Sequence, residues 1–150
     1  MRTAMNRKLL LDTNILLDAA IEERPGCLAA SLLMDEFFYE SVTGYVSALS
    51  LKDVYYILSK YTDESAARRY VIALMDLFEI VPVDGALCRI AALSDEPDFE
   101  DGIVRACAEN ALVDFVVTRD AGAFGKSSLK CLTAQEYLDL FCDIEEVELY

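Results

Sequence analysis

The chain has 150 residues, 55% hydrophobic and 27% charged, enough apolar material for one domain with a substantial core and too much for a disordered chain. Its formal net charge of −14 argues on its own against nucleic acid, whose phosphates usually meet a basic surface; a bound divalent metal, a local rim of lysine and arginine, or a basic partner protein would each answer that objection. Histidine is absent, which excludes Ser-His-Asp and Cys-His catalysis and the HExxH zinc motif, so carboxylates are the natural source of catalytic ligands.

No stretch approaches the roughly 18 apolar residues of a membrane helix. The positively charged start is followed by three leucines, Leu9 to Leu11, before Asp12. That is too short for a secretory signal, and the expectation is a cytoplasmic protein. Cys27, Cys88, Cys107, Cys131 and Cys142 are widely spaced and lack a CxxC pair. They read as reduced thiols, several of them buried, rather than as a disulfide framework or a zinc site. Without repeats or a linker the chain reads as a single domain over 1–150, with a core over about 8–140 and an acidic tail over 143–150.

Residues 8–11 predict a short buried strand, and 15–20 a brief helix capped by Asp12, Thr13 or Asn14. Pro25 opens a second helix reaching about residue 39. Residues 42–47 read as a strand, weakened by Gly44. Over 49–61, Val54, Ile57, Leu58 and Tyr61 form one stripe at helical spacing. Thr62 or Asp63 caps the next helix, with Ala67, Tyr70, Val71, Leu74 and Phe78 inward. Residues 80–83 form a strand whose Pro82 is tolerated best near an edge, and 84–93 a helix with Leu87, Ile90 and Ala91 inward. Asp98 caps a helix to about residue 112, with Val104, Cys107, Ala108 and Ala111 inward. Strands over 115–118 and 129–132 and a helix over 133–141 complete the series, and 143–150 has no clear assignment. Alternating strands and helices predict an α/β fold, a three-layer α/β/α sandwich with a mostly parallel five-stranded sheet. Ligands bind such sheets at the carboxyl ends of strands, near a topological switch point.

Four acids lie beside apolar runs. Asp12 follows Leu9-Leu10-Leu11, Asp53 sits inside the run from Ser50 to Leu58, Asp101 closes Asp98-Phe99-Glu100-Asp101, and Asp120 follows Val116-Val117-Thr118-Arg119. Brought together, they make an oxygen-ligand pocket suited to Mg²⁺ or Mn²⁺ and to metal-assisted hydrolysis of phosphodiesters. Each also has a purely structural reading. Asp12 could be a helix cap. Asp101 could be a first-turn acid favoured by the helix dipole, with Asp98 three residues before it as in a capping box. Asp120 precedes a turn-like Ala-Gly-Ala-Phe-Gly stretch. Asp53 lies beside the apolar stripe, where the edge of a site is favoured over open solvent. Asn14 either orients Asp12 or caps, Glu100 is solvated or supports its neighbours, and Asp114 ends a helix or turns the chain. Lys52, Arg105, Lys126 and Lys130 read as ordinary surface charges, and Arg119, between Thr118 and Asp120, is the best rim candidate.

In this order the motifs resemble those of the PIN-domain ribonucleases, a family that includes many bacterial toxins of VapC type. Leu10-Leu11-Asp12-Thr13-Asn14-Ile15-Leu16 resembles the family's opening motif, and the run from Ser47 to Leu58 is similar to the helix carrying the second acid. Asp98-Phe99-Glu100-Asp101 with Ala106 and Ala108 is similar to the third-acid segment, and Val117-Thr118-Arg119-Asp120 to the strand end carrying the fourth. The resemblance covers about residues 8–140, and four motifs in order at compatible spacing are specific. It implies a PIN-like α/β/α sandwich that cleaves single-stranded RNA with Mg²⁺ or Mn²⁺. Asp12 and Asp101 would hold metal directly, Asp53 and Asp120 would complete the site, and Asn14, Thr118 and Glu100 would be its neighbours. It further implies a homodimer and, for a toxin, a basic antitoxin partner. One departure is Asp53, where many members carry the longer Glu. Two rivals stand beside this reading. One is a binding or regulatory module on the same fold with weak or no nuclease activity, which the net charge favours. The other, ranked lower, is a phosphatase-like hydrolase with Asp12 as nucleophile, because that class opens Asp-x-Asp and this chain opens Asp-x-Asn.

Overall fold

The computed structural model describes residues 6–39, 41–119, 124 and 128–142; the acidic tail over 143–150 lies outside them. The elements run β1 (Arg7–Leu11), α1 (Thr13–Ala20), α2 (Cys27–Glu36), β2 (Val42–Ser47), α3 (Ala48–Tyr61), α4 (Glu64–Leu77), β3 (Glu79–Val81), α5 (Gly85–Leu93), α6 (Phe99–Ala111), β4 (Phe115–Val117), β5 (Cys131–Leu132) and α7 (Ala134–Phe141). The five strands form one sheet in the order β3-β2-β1-β4-β5, and every pairing is parallel. This is the expected α/β/α sandwich.

The apolar run of β1 explains its central place. Leu9, Leu10 and Leu11 are fully buried. Alternation along the strand sends Leu9 and Leu11 into a cluster with residues of α1, α2, α3, α4 and α7, and Leu10 into a second cluster with α5 and α6. Full burial of each such side chain stabilises by about 1.5–3 kcal/mol. The chain winds from β1 through β2 to β3 on one side, then crosses to β4 and β5 on the other. The order therefore reverses between β1 and β4, which sets the switch point there.

Short polar residues start most of the helices. Asp12, Ser47, Asp63, Asp84, Asp98 and Thr133 each accept a bond from a backbone amide of the first turn. Between Thr62 and Asp63 the cap is Asp63, while Thr62 ends α3. The second helix is shorter than the sequence suggests. Gly26 precedes its first residue, and Phe37, Phe38 and Tyr39 close tight turns onto Met34, Asp35 and Glu36. β3 stops at Val81, since Pro82 has no amide for the ladder.

The inward faces differ in two helices. In α3, Val54 and Leu58 are buried, with Leu51 and Tyr55 packed beside them, while Ile57 and Tyr61 are exposed. In α5, Leu87 and Ala91 are buried and Ile90 faces solvent. The expected stripes hold at Val54, Leu58, Leu87 and Ala91 and fail at Tyr61, at Ile90 and at Ile57, which lines a cleft. The five cysteines are free thiols, with Cys107 buried and the others half-buried. No helix among the described residues is long and apolar enough to cross a membrane.

Gly44 sits in β2 where Phe37 and Phe78 meet edge to face, ring centroids 4.9 Å apart. A Cβ there would collide with two ring carbons of Phe78 and lie 2.8 Å from Phe37. Gly44→Ala is expected to destabilise by about 1–3 kcal/mol through overpacking; an unchanged urea midpoint would show that the rings yield freely. Leu112, the residue ending α6, is left-handed (φ 56, ψ 47) and exposed. Leu112→Gly is expected to stabilise by about 0.5–1 kcal/mol by relieving that strain, read as a higher midpoint in the same titration.

Candidate metal centre

Asp12 is the first residue beyond β1. Its backbone amide donates to the Val117 carbonyl at 3.0 Å, which fixes it at the seam between β1 and β4. Its carboxylate is held twice. Oδ1 accepts the Thr13 amide at 2.8 Å, and Oδ2 accepts the Thr118 hydroxyl at 3.1 Å. Thr118 is itself buried, and its amide donates to Leu132 in β5 at 2.9 Å. Burial pushes the Asp12 carboxyl above the ordinary carboxylate range, and the bonds from Thr13 and Thr118 offset this only in part. Asp12 thus caps α1 and also lines a cleft. Asn14 supplies neither of these carboxylate bonds; it is exposed on the cleft wall.

A cleft of about 490 Å³ opens from Asp12 between α3 and α6, and Asp53, Glu100 and Asp101 also line it. Asp53 lies in the second turn of α3, with Tyr56 and Ile57 one turn further along the same wall. Ser47 leaves β2 level with Asp12 leaving β1, given the register Leu10 to Tyr45, and Ser50 accepts the Thr13 hydroxyl at 2.9 Å. That bond ties the start of α1 to the start of α3. On the opposite wall Asp98 caps α6, accepting the Glu100 amide at 2.7 Å, while Asp101, three residues on, lines the cleft. Gly102 lets α6 sit close to α5, since a Cβ there would lie 2.8 Å from the Ala91 carbonyl.

Three of the four expected acids, Asp12, Asp53 and Asp101, therefore share one cleft. Asp120 lies outside the described residues. Thr118 reaches the site through its bond to Asp12. Arg119 is half-exposed and its guanidinium pairs with Asp18 at 3.4 Å. Lys52, which reads as an ordinary surface charge in the sequence, lines the cleft and pairs with Asp53 at 3.1 Å; its position next to an acid on a helix was the available signal. Asp18 was passed over, and no local pattern announces it.

Among the described residues no three carboxylate or thiol side chains come close enough to enclose an ion. Asp12, Asp53 and Asp101 line one space without converging on one point. An oxygen-only donor set around an open cleft fits a hard divalent ion that keeps several of its waters, as Mg²⁺ does with one or two carboxylates.

A family model described as "PIN domain" matches residues 8–122. No curated protein matches the chain by sequence. Among solved structures, VapC20 of Mycobacterium tuberculosis, a sarcin-ricin-loop-cleaving toxin, aligns with a TM-score of 0.66 at 16% identity, covering 81% of this chain and 95% of that one. A toxin–antitoxin complex from Klebsiella pneumoniae aligns at 0.64 and 23% identity, covering 84% and 97%. VapBC2 of Rickettsia felis, bound to a DNA fragment from its promoter, aligns at 0.58 and 15%, covering 84% and 98%. At these identities the structures speak for a shared fold, and the match over residues 8–122 speaks for descent: the chain belongs to the PIN domain family.

Proposed function

We propose that this protein is a divalent-metal-dependent endoribonuclease acting on single-stranded RNA, and the toxin half of a toxin–antitoxin pair. The observation that carries the reading is the cleft that unites Asp12, Asp53 and Asp101 from three different elements. Family membership and the toxin structures it resembles support it. Asp12 and Asp101 would hold Mg²⁺ or Mn²⁺, with Asp53 and Asp120 completing the set directly or through water. The ion would supply an acidified water and neutralise charge on the scissile phosphate. Thr118 and the Thr13 amide keep the Asp12 carboxylate aimed into the cleft, and Asn14 and Glu100 stand beside it. Lys52 and Arg119 would offset phosphate charge at the rim. A basic antitoxin chain and a second copy of the protein are the proposed partners, in the cytoplasm. The reading of the chain as a binding module without nuclease activity draws on the net charge of −14 and on the acids' failure to converge.

Purified protein is expected to cleave a panel of single-stranded RNAs with Mg²⁺ or Mn²⁺, and to lose the activity in EDTA or on Asp12→Asn. Equal cleavage in EDTA would point to another mechanism, and no cleavage with any metal would favour the binding module.

Melting curves test the site without the right RNA. Like charges around one cleft repel, so Asp101→Asn is expected to raise the metal-free melting temperature and weaken stabilisation by Mn²⁺. The parent should gain about 1.4 kcal/mol with free Mn²⁺ tenfold above its dissociation constant. If Asp101 serves only the helix dipole, the variant loses about 0.3–1 kcal/mol and keeps the parent's metal response, which would remove Asp101 from the site.

A further inference from the structure

Asp18 is a buried carboxylate on α1, outside the acidic cleft, and two arginines converge on it. Arg24 Nη1 donates to Oδ1 at 3.2 Å, and Arg119 Nε pairs with Oδ2 at 3.4 Å. The pocket is built for the carboxylate, because a Cβ on Gly26 would collide with its Oδ2 and lie 3.0 Å from its Cγ. A buried charge needs a partner, and one guanidinium would neutralise it. With two, the trio by itself carries about +1, with Glu22 and Glu23 preceding Arg24 in the chain. Both arginines keep exposed surface, the side chain of Arg24 at 24% and that of Arg119 at 45%. Among the described residues neither forms a second ion pair.

The position matters as much as the charge. Asp18 is six residues along α1 from Asp12, about 9 Å at 1.5 Å per residue. Arg119 follows Thr118, whose hydroxyl holds the Asp12 carboxylate. Contact with Asp18 through Nε leaves the terminal nitrogens of Arg119 for a further acceptor, and a guanidinium matches a phosphate in planar, paired geometry.

We infer that Arg24 and Arg119, fixed on the buried Asp18, form a phosphate-binding station for the RNA backbone beside the metal cleft. The inference rests on the ribonuclease reading and adds a site to it. Asp18 is a positioning residue there and touches no substrate. The station holds a phosphate neighbouring the scissile one, and it explains how so acidic a protein keeps a polyanion in register.

The test is the salt dependence of binding. An Asp12→Asn parent is expected to bind without cutting, and the probe is a fluorescein-labelled oligouridylate of about 12 nucleotides in about 25 to 200 mM KCl with Mn²⁺. Arg24→Gln and Arg119→Gln are each expected to lower the slope of log K against log salt by about 0.7, the value for one lost contact to a single strand. Arg24→Lys and Arg119→Lys should keep the parent slope, which a merely structural latch does not require. Arg68→Gln, at an exposed arginine paired with Glu64 on α4, should leave the slope unchanged. Equal loss at Arg68, or unchanged slopes in both station variants, overturns the station while leaving the ribonuclease reading intact. Failure of the parent to bind, with no cleavage by the wild-type protein, overturns both. If a glutamine variant does not fold, the parent's arginine Nε–H resonances serve instead. Shifts of Arg24 and Arg119 on adding the oligouridylate support the station, and their absence overturns it.

Discussion

Leu9, Leu10 and Leu11 have no accessible surface, and the backbone joining them is paired on both edges, with β2 and with β4. A strand sealed on two faces and two edges resists a one-residue shift, because the shift would draw Lys8 or Asp12 into a place that leucine fills. Its end is therefore fixed in space, and Asp12 is that end. The reversal of strand order occurs at this same seam, where α/β sheets leave a crevice at the carboxyl ends of their strands. The core and the cleft are two results of one constraint.

Charge is arranged around the cleft with some economy. The acids that line it are spread over the ends of β1, α3 and α6, so each carboxylate is held by its own element. Asp12 is desolvated by burial and receives two donors. Asp53 is half-exposed and has Lys52 beside it. On α6 the steadying contact is remote: Arg105 bonds Glu96 at 3.2 Å and Glu109 at 3.0 Å, tying the segment before the helix to its body. Arg105 read as an ordinary surface charge in the sequence, yet it fixes the segment that presents Asp98 and Asp101.

Strands and caps were legible because their signals are local. A short apolar run, or an Asp or Thr before a helical pattern, requires no knowledge of distant residues. The order of acids along the chain was equally plain, and the structure places Asp12, Asp53 and Asp101 on one cleft. What failed were single positions, Ile57 and Tyr61 on α3 and Ile90 on α5. Ile57 is apolar because it lines a cleft beside Asp53, and periodicity cannot separate that wall from a core contact. Asp98 reads as the cap and Asp101 as the acid in the sequence, and the structure keeps that split, with Asp98 capping α6 and Asp101 on the cleft. Most opaque was Asp18, whose partner Arg119 is about a hundred positions away in the chain, a pairing that only the folded topology creates.

The outer strands carry a different consequence. β3 has three residues and ends at Pro82, and β5 has two. Edge strands expose unpaired amides and carbonyls that can recruit a foreign strand. Edges this short, one of them closed by a residue without an amide, give an incoming chain almost nothing to zip against. The long central strands, β1 and β2, are each covered on both sides. Among the described residues, sheet-to-sheet aggregation is thus discouraged by strand length alone, and the helical faces are the broader surfaces open to association.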